Sequence, residues 1–269
     1  AASEAAVAET ETAAASEAAV AETAVVETET AAASEAAAKA EPAPEAAPEA
    51  ASEAAPEAAP AVKKAARAKE KSPKVLFAAF EAVPFAKTGG LGDVAGSLPA
   101  ALCKLGADVR LIMPKYGTIY QKYKEKMTHV ADFFMDLSWR SLFCGIETLE
   151  HNGITIYFVD NEHYFYRDRP YGYDDDCERA AFFSKAVLEC LDHIDFAPDI
   201  IHCNDWHTSL IPAFLNTWYR SNEKFANIRT VFTVHNLKFQ GVFSGYLIGD
   251  VLGFSVEQAE NAGLRYGGD

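Results

Sequence analysis

From residue 74 onward the sequence predicts an α/β fold built on a doubly wound parallel sheet, and three observations carry that prediction. Apolar runs of strand length recur at 75–80, 108–113, 198–203 and 228–234, with the unbroken character of strands covered on both faces. Helical patterns separate them, at 94–105, 177–190 and 208–219, and strands alternating with helices imply a parallel sheet with helical crossovers. The first strand runs into Lys87-Thr88-Gly89-Gly90-Leu91-Gly92-Asp93 and then a helix. Glycines let backbone N–H groups approach an anion and a helix N-terminus adds positive partial charge, so this order makes a phosphate site.

Residues 1–73 are of another kind. They are mostly Ala, Glu, Pro, Ser, Thr and Val, without an aromatic residue, and 2–10 recur as 15–23. Such a segment has no material for a core and is expected to be a disordered tail or linker. It holds 14 acidic and 6 basic residues of the chain's 39 and 24, leaving 25 and 18 for the rest. The acidity is therefore shared, and the folded part shows no basic face for nucleic acid. The basic run 63–71 reads as a solubilising linker end.

Five scattered cysteines without a C-x-x-C pair argue for a reducing compartment and against a disulfide framework or structural zinc site. No apolar run reaches the ~20 residues that span a bilayer, and the N-terminus lacks the basic and apolar parts of a secretory signal. A soluble, intracellular protein is expected.

The elements follow in order. After the strand at 75–80, Pro84 keeps the loop 81–92 from forming a regular helix. Asp93 complements the next helix start, whose expected buried stripe is Leu98, Ala101, Leu102 and Leu105, with Gly106 as the stop. A strand at 108–113 ends at Pro114 and completes a β-α-β unit. Strands at 142–149 and 154–159 flank Asn152-Gly153, a strong hairpin signal. Residues 161–176, rich in Tyr, Asp and Arg, read as too polar for core. The helix at 177–190 buries Ala181, Phe182, Ala186, Val187 and Leu188. The strand at 198–203 delivers Asn204-Asp205-Trp206-His207, and a buried strand at 228–234 delivers His235-Asn236. Ligands of open α/β sheets bind beyond the C-terminal strand ends, so the lysine-glycine loop, Asp205 and His235 should converge on one crevice.

The chemical candidates compete with plainer readings. Gly90-Leu91-Gly92-Asp93-Val94-Ala95 matches G-x-G-x-x-A, but the second strand ends in Met113-Pro114-Lys115 without the acidic residue a dinucleotide needs. His202, Cys203, Asp205 and His207 could suggest a metal, yet alternation turns His202 and Cys203 to opposite faces, and no open three-ligand spacing is present. On spacing alone Asp205 is equally a helix N-cap and His235 a satisfied core histidine. Trp206 and Trp218 read as packing residues. The run Asp174-Asp175-Asp176 is weak evidence for calcium.

Three stretches taken together resemble one family. Residues 74–114, with Glu81 to Val94, resemble the N-terminus of bacterial glycogen synthases and plant starch synthases, the ADP-glucose-dependent glucosyltransferases. His202 to His207 and Val231 to Gly241 are similar to that family's next two signatures, in the same order, and 171–189 looks closest to the bacterial branch. The resemblance implies that 74–269 is the first Rossmann-like half of a two-domain GT-B fold. It implies a retaining transfer of glucose from ADP-glucose to the 4-hydroxyl of an α-1,4-glucan, with no metal and no cofactor. By the same resemblance Lys87 is catalytic and lies near the donor phosphates and the glucan acceptor, Gly89 and Gly90 give backbone approach, and Asp93 supports the loop. His235 lies by the transferred glucose, Asp205 shares the catalytic role, and Tyr171 and Asn236 line the cleft. The chain stops before the second half, which holds most of the nucleotide, so it is expected to be an incomplete fragment that does not turn over alone. The bacterial cytoplasm is the expected compartment, with plastid stroma second. A non-catalytic glucan-binding or regulatory module is the alternative, and a dinucleotide-binding oxidoreductase domain a more distant one.

Overall fold

The computed structural model describes residues 72–265. The expectation of a disordered tail at 1–73 falls almost wholly outside them.

The element order is β1 (Lys74–Ala78), α1 (Gly90–Lys104), β2 (Asp108–Pro114), α2 (Gly117–Tyr123), β3 (Thr128–Leu137), β4 (Arg140–His151), β5 (Ile154–Asp160), α3 (Glu162–Phe165), α4 (Asp176–Glu189), β6 (Ile200–Asn204), α5 (Leu210–Phe214), α6 (Glu223–Ala226), β7 (Arg229–Thr233), α7 (Leu247–Asp250) and α8 (Val256–Asn261). The strands form one seven-stranded sheet in the order β3-β4-β5-β2-β1-β6-β7. From β5 to β7 all pairing is parallel. The sheet is not parallel throughout, because β3 and β4 extend it antiparallel beyond β5. The β4–β5 hairpin turns at Asn152-Gly153, both with positive φ, as the dipeptide requires.

Burial follows the apolar runs. In β1, Leu76, Phe77 and Ala78 have no exposed surface, and β2 and β5 bury Ile112, Met113, Phe158 and Val159 as fully. Helix α4 supplies Ala181, Phe182, Ala186, Val187 and Leu188 to the same core, as the pattern predicts.

Four expectations are corrected. Helix α1 starts at Gly90, not Val94, and its buried line is Leu91, Ala95 and Pro99. Leu98 and Leu102 are half-buried, while Ala101 and Leu105 face solvent. Gly106, at φ +97°, does end the helix turn as expected. Within 161–176, Tyr164 and Phe165 are core residues, capped in α3 by the Asn161 side chain. Strand β3 has no counterpart in the sequence reading. Strand β7 is not buried: it is the sheet edge, and Val231 and Phe232 are both 45 % exposed.

Candidate active site

The C-terminal ends of β1, β6 and β7 lie side by side, because β1 pairs with β6 and β6 with β7 in parallel. Buried Asn204 locks those ends together, donating from its side chain to the Ala78 and His202 carbonyls at 3.1 Å. Its Oδ1 lies 3.0 Å from His235 Nε2. The next residue, Asp205, donates its backbone N–H to the Thr233 carbonyl at 2.9 Å. Its carboxylate accepts the backbone N–H of His235 at 2.7 Å. Asp205 is therefore not the side-chain N-cap that spacing allowed; it ties the β6 end to the β7 end. His235 is half-buried and held by its ring and its backbone. Asp205 and His235, both expected at the site, are brought together.

Asp205 does this at φ +60° and ψ 176°. That region is nearly reserved for glycine, and a non-glycine residue there stores backbone strain. Strained residues held by their surroundings cluster at functional sites.

The glycine loop closes the other side. Gly89 is the N-cap of α1 and gives its first turn no side-chain cap, which leaves amide donors at a helix N-terminus. A Cβ at Gly89 or Gly90 would meet no atom within 4 Å, so the space over both is open. Lys87 and Asp93 form an exposed ion pair at 2.8 Å. Lys87 thus faces Asp93, and no hydrogen bond or ion pair among the described residues joins it to Asp205 or His235.

Tyr171 links the two sides. Its ring lies 4.8 Å from that of His207, and its hydroxyl reaches Thr88 Oγ1 and, at 3.5 Å, Glu81 Oε1. Burial pushes the Tyr171 hydroxyl up, and the Glu81 and Asp205 charges add to this against the opposing Thr88 hydrogen bond. Asn236 is exposed and spends its side-chain oxygen on the Lys238 N–H at 3.0 Å.

Behind these groups His207 is stacked between Phe80 at 4.7 Å and Trp206 at 3.8 Å. Neither of its ring nitrogens has a partner among the described residues, and burial, with Arg179 nearby, lowers its pKa to about 3. His202 is likewise a packed strand residue, edge-on to Phe77 and 2.8 Å from Thr233 Oγ1. Burial and the neighbouring His235 push its pKa down. Trp206 packs against Gly241, whose φ is +65° and where a Cβ would come within 2.6 Å of the indole. Trp206 and Gly241 also line a mainly apolar cavity of about 600 Å³ with Phe232, Phe243 and Leu264. That cavity contains none of Lys87, Gly89, Asp205 or His235, and is not the crevice.

One polar residue at the site escaped the sequence reading. Glu81 is 2 % exposed and accepts from Thr88 and Gly89. Its only signal was an acidic residue directly after an apolar strand and before a glycine loop. At the β2 end Lys115 is paired with Asp160 at 2.5 Å and Glu147 at 3.1 Å, so a cation stands where a dinucleotide site needs a carboxylate.

A family model described as the starch synthase catalytic domain matches residues 74–269. The chain belongs to that family. Its relatives in the starch synthase family include the glycogen synthase of Anoxybacillus flavithermus, 54 % identical over 192 residues, covering 70 % of this chain and 40 % of that protein. The glycogen synthase of Desulforamulus reducens is 54 % identical over 195 residues, covering 72 % and 41 %. Among solved structures, the catalytic domain of starch synthase IV from Arabidopsis thaliana, bound to ADP and acarbose, aligns with a TM-score of 0.62 at 30 % identity. That alignment covers 70 % of this chain and 38 % of the other. The chain thus spans about 40 % of the length of the curated relatives it matches, and its fold is the Rossmann-like half of a GT-B starch synthase.

Proposed function

We propose that this chain forms one wall of the active site of a retaining glucosyltransferase that moves glucose from ADP-glucose to the non-reducing 4-hydroxyl of an α-1,4-glucan. One observation carries the reading: the open space over Gly89 and Gly90 at an uncapped helix N-terminus, beside Lys87, at the ends of β1 and β6. The glycogen synthase relatives and a structural neighbour bound to ADP and acarbose support the same substrate classes.

In this reading Lys87 leaves Asp93 for the donor diphosphate, and the first amides of α1 bind the same phosphates. Charge that develops on the departing diphosphate meets a cation and oriented N–H groups, a form of stabilisation that needs little reorganisation. His235 and Asp205 flank the transferred glucose, while Tyr171 and Asn236 line the acceptor side. Since a lysine and a helix end supply the positive charge, the reading calls for no metal and no organic cofactor. The chain spans about 40 % of its relatives' length, and in this reading it holds one wall of the site. The compartment that goes with this reading is the bacterial cytoplasm.

Titration of the ¹⁵N-labelled chain with ADP-glucose tests this. The amides of 87–93 and of His235 are expected to shift together. Shifts confined to the apolar cavity, or a response to NAD but not to ADP-glucose, would overturn the reading.

A further inference from the structure

Glu81 stands at the start of the loop after β1 with its carboxylate almost wholly out of water. A buried carboxylate is costly unless donors converge on it, and here all the donors are neutral. Oε2 accepts the Thr88 backbone N–H, the Thr88 hydroxyl at 2.8 Å and the Gly89 backbone N–H at 3.4 Å. Oε1 lies 3.5 Å from the Tyr171 hydroxyl, which is also hydrogen-bonded to Thr88 Oγ1. One side chain therefore joins the glycine loop to a tyrosine 90 positions away.

Two consequences follow. The N–H groups of Thr88 and Gly89 are turned toward Glu81, so the amides left for an anion begin at Gly90, in the first turn of α1. A negative charge close beneath that turn also opposes an anionic ligand by simple Coulomb repulsion. Electrostatics alone makes Glu81 the wrong residue for this place, and its hydrogen bonds give it another use.

We infer that Glu81 is a positioning residue for the glucosyl-donor site, fixing the loop so that the first free amides of α1 and the Tyr171 ring face the ligand together. This rests on the donor-site reading above. The two possible roles predict opposite signs. If Glu81 acted only through its charge, Glu81→Gln would remove a repulsion and tighten ADP-glucose binding. As a positioning residue it must weaken binding, because the amide keeps a single acceptor oxygen and turns the charge-assisted bonds from Thr88 and Gly89 into weaker neutral ones.

The experiment is an NMR titration of the ¹⁵N-labelled 269-residue chain with ADP-glucose, using wild type, E81Q and T88V. Thr88 is exposed, so T88V keeps the fold while cutting the link to Tyr171. E81Q is expected to weaken binding roughly tenfold, about the effect of one hydrogen bond to a charged group, and to move the Thr88 and Gly89 amide protons upfield. T88V is expected to weaken binding severalfold and to shift the Tyr171 ring signals. Unchanged or tighter binding by E81Q overturns the inference. Should E81Q fail to fold, wild-type affinity in T88V overturns it instead. A wild-type chain that binds no ADP-glucose would count against the donor site itself, whereas wild-type binding with indifferent variants counts against Glu81 alone.

Discussion

A methyl group placed on Gly89 or Gly90 meets nothing within 4 Å, while one placed on Gly96 comes within 2.3 Å of Val83 Cγ2 and 2.7 Å of its carbonyl oxygen. The three glycines serve different ends. Gly96 lets α1 pack against the loop 81–89, so Gly96→Ala should destabilise by about 1–3 kcal/mol, the range for overpacking. Gly89→Ala and Gly90→Ala should leave the urea midpoint nearly unchanged, since neither has a positive φ, yet each should weaken ADP-glucose binding about tenfold or more by filling the ligand's space. Normal binding by both alanine variants would show that the open space is not the site. Asp205 gives a second residue-scale expectation. Its backbone strain, on the order of 1–3 kcal/mol, persists because its carboxylate holds the His235 N–H. Asp205→Asn keeps an acceptor there and Asp205→Ala does not. The alanine variant should therefore unfold at lower urea, by about 1–3 kcal/mol relative to asparagine. Equal stabilities would show that the carboxylate is not the anchor.

The strand ends, as elements, carry a pH dependence that comes from the stack behind the crevice. His207 is buried between Phe80 at the end of β1 and Trp206 after β6, and its folded pKa of about 3 lies below the ordinary value of 6.5. The unfolded chain takes up this proton first. The stability is thus complete above pH ~6.5 and falls as the pH drops from there toward 3, by about 1.4 kcal/mol at pH 5.5. His207→Phe keeps the stack and loses the titration, so urea unfolding at pH 7.5 and 5.5 should show the wild type losing about 1.4 kcal/mol more than the variant. An identical loss in both would place the proton elsewhere. The strands that build this stack were legible in sequence because apolar runs mark them. The convergence of Asp205 with His235 was legible because parallel topology puts strand ends together. What was not legible depended on neighbours. The apolar run of β7 reads as buried, but its exposure follows from being last in the strand order. Half the residues of strand β3 are exposed and alternate with covered ones over its second half, so it leaves no continuous apolar run. The stripe of α1 was misplaced because Gly90 and Gly92 read as loop, although they form its first turn. Glu81 was missed since only the folded loop shows what its carboxylate holds.

At the scale of the whole molecule, the antiparallel extension of the sheet has a structural consequence outside the crevice. The turn between β3 and β4 grips the segment that follows β7. Ser138 donates to the Gly249 carbonyl at 3.1 Å, and Trp139 Nε1 donates to the Asp250 carboxylate at 3.0 Å. Arg140 donates to the Asp250 carbonyl at 2.7 Å and its carboxylate at 2.9 Å, and reaches Glu178 of α4 at 3.3 Å. On the inner side Phe254 stacks on Trp218 at 4.6 Å, and Ile248, Val251 and Leu252 are buried. The segment has only short helices of its own, so its order depends on this grip and on the apolar contacts beneath it. Removing the guanidinium with Arg140→Met keeps an apolar stem and deletes its bonds to Asp250 and Glu178. Hydrogen exchange at the amides of Val251, Leu252 and Phe254, which bond to the Leu247 and Ile248 carbonyls, should then quicken by roughly 10- to 100-fold. Amides of β1 and β2 should keep their rates, because the parallel sheet does not depend on the grip. Uniform acceleration across the sheet would show that the segment and the sheet open as one unit, and unchanged rates at Val251 to Phe254 would show that the apolar contacts alone hold the segment down.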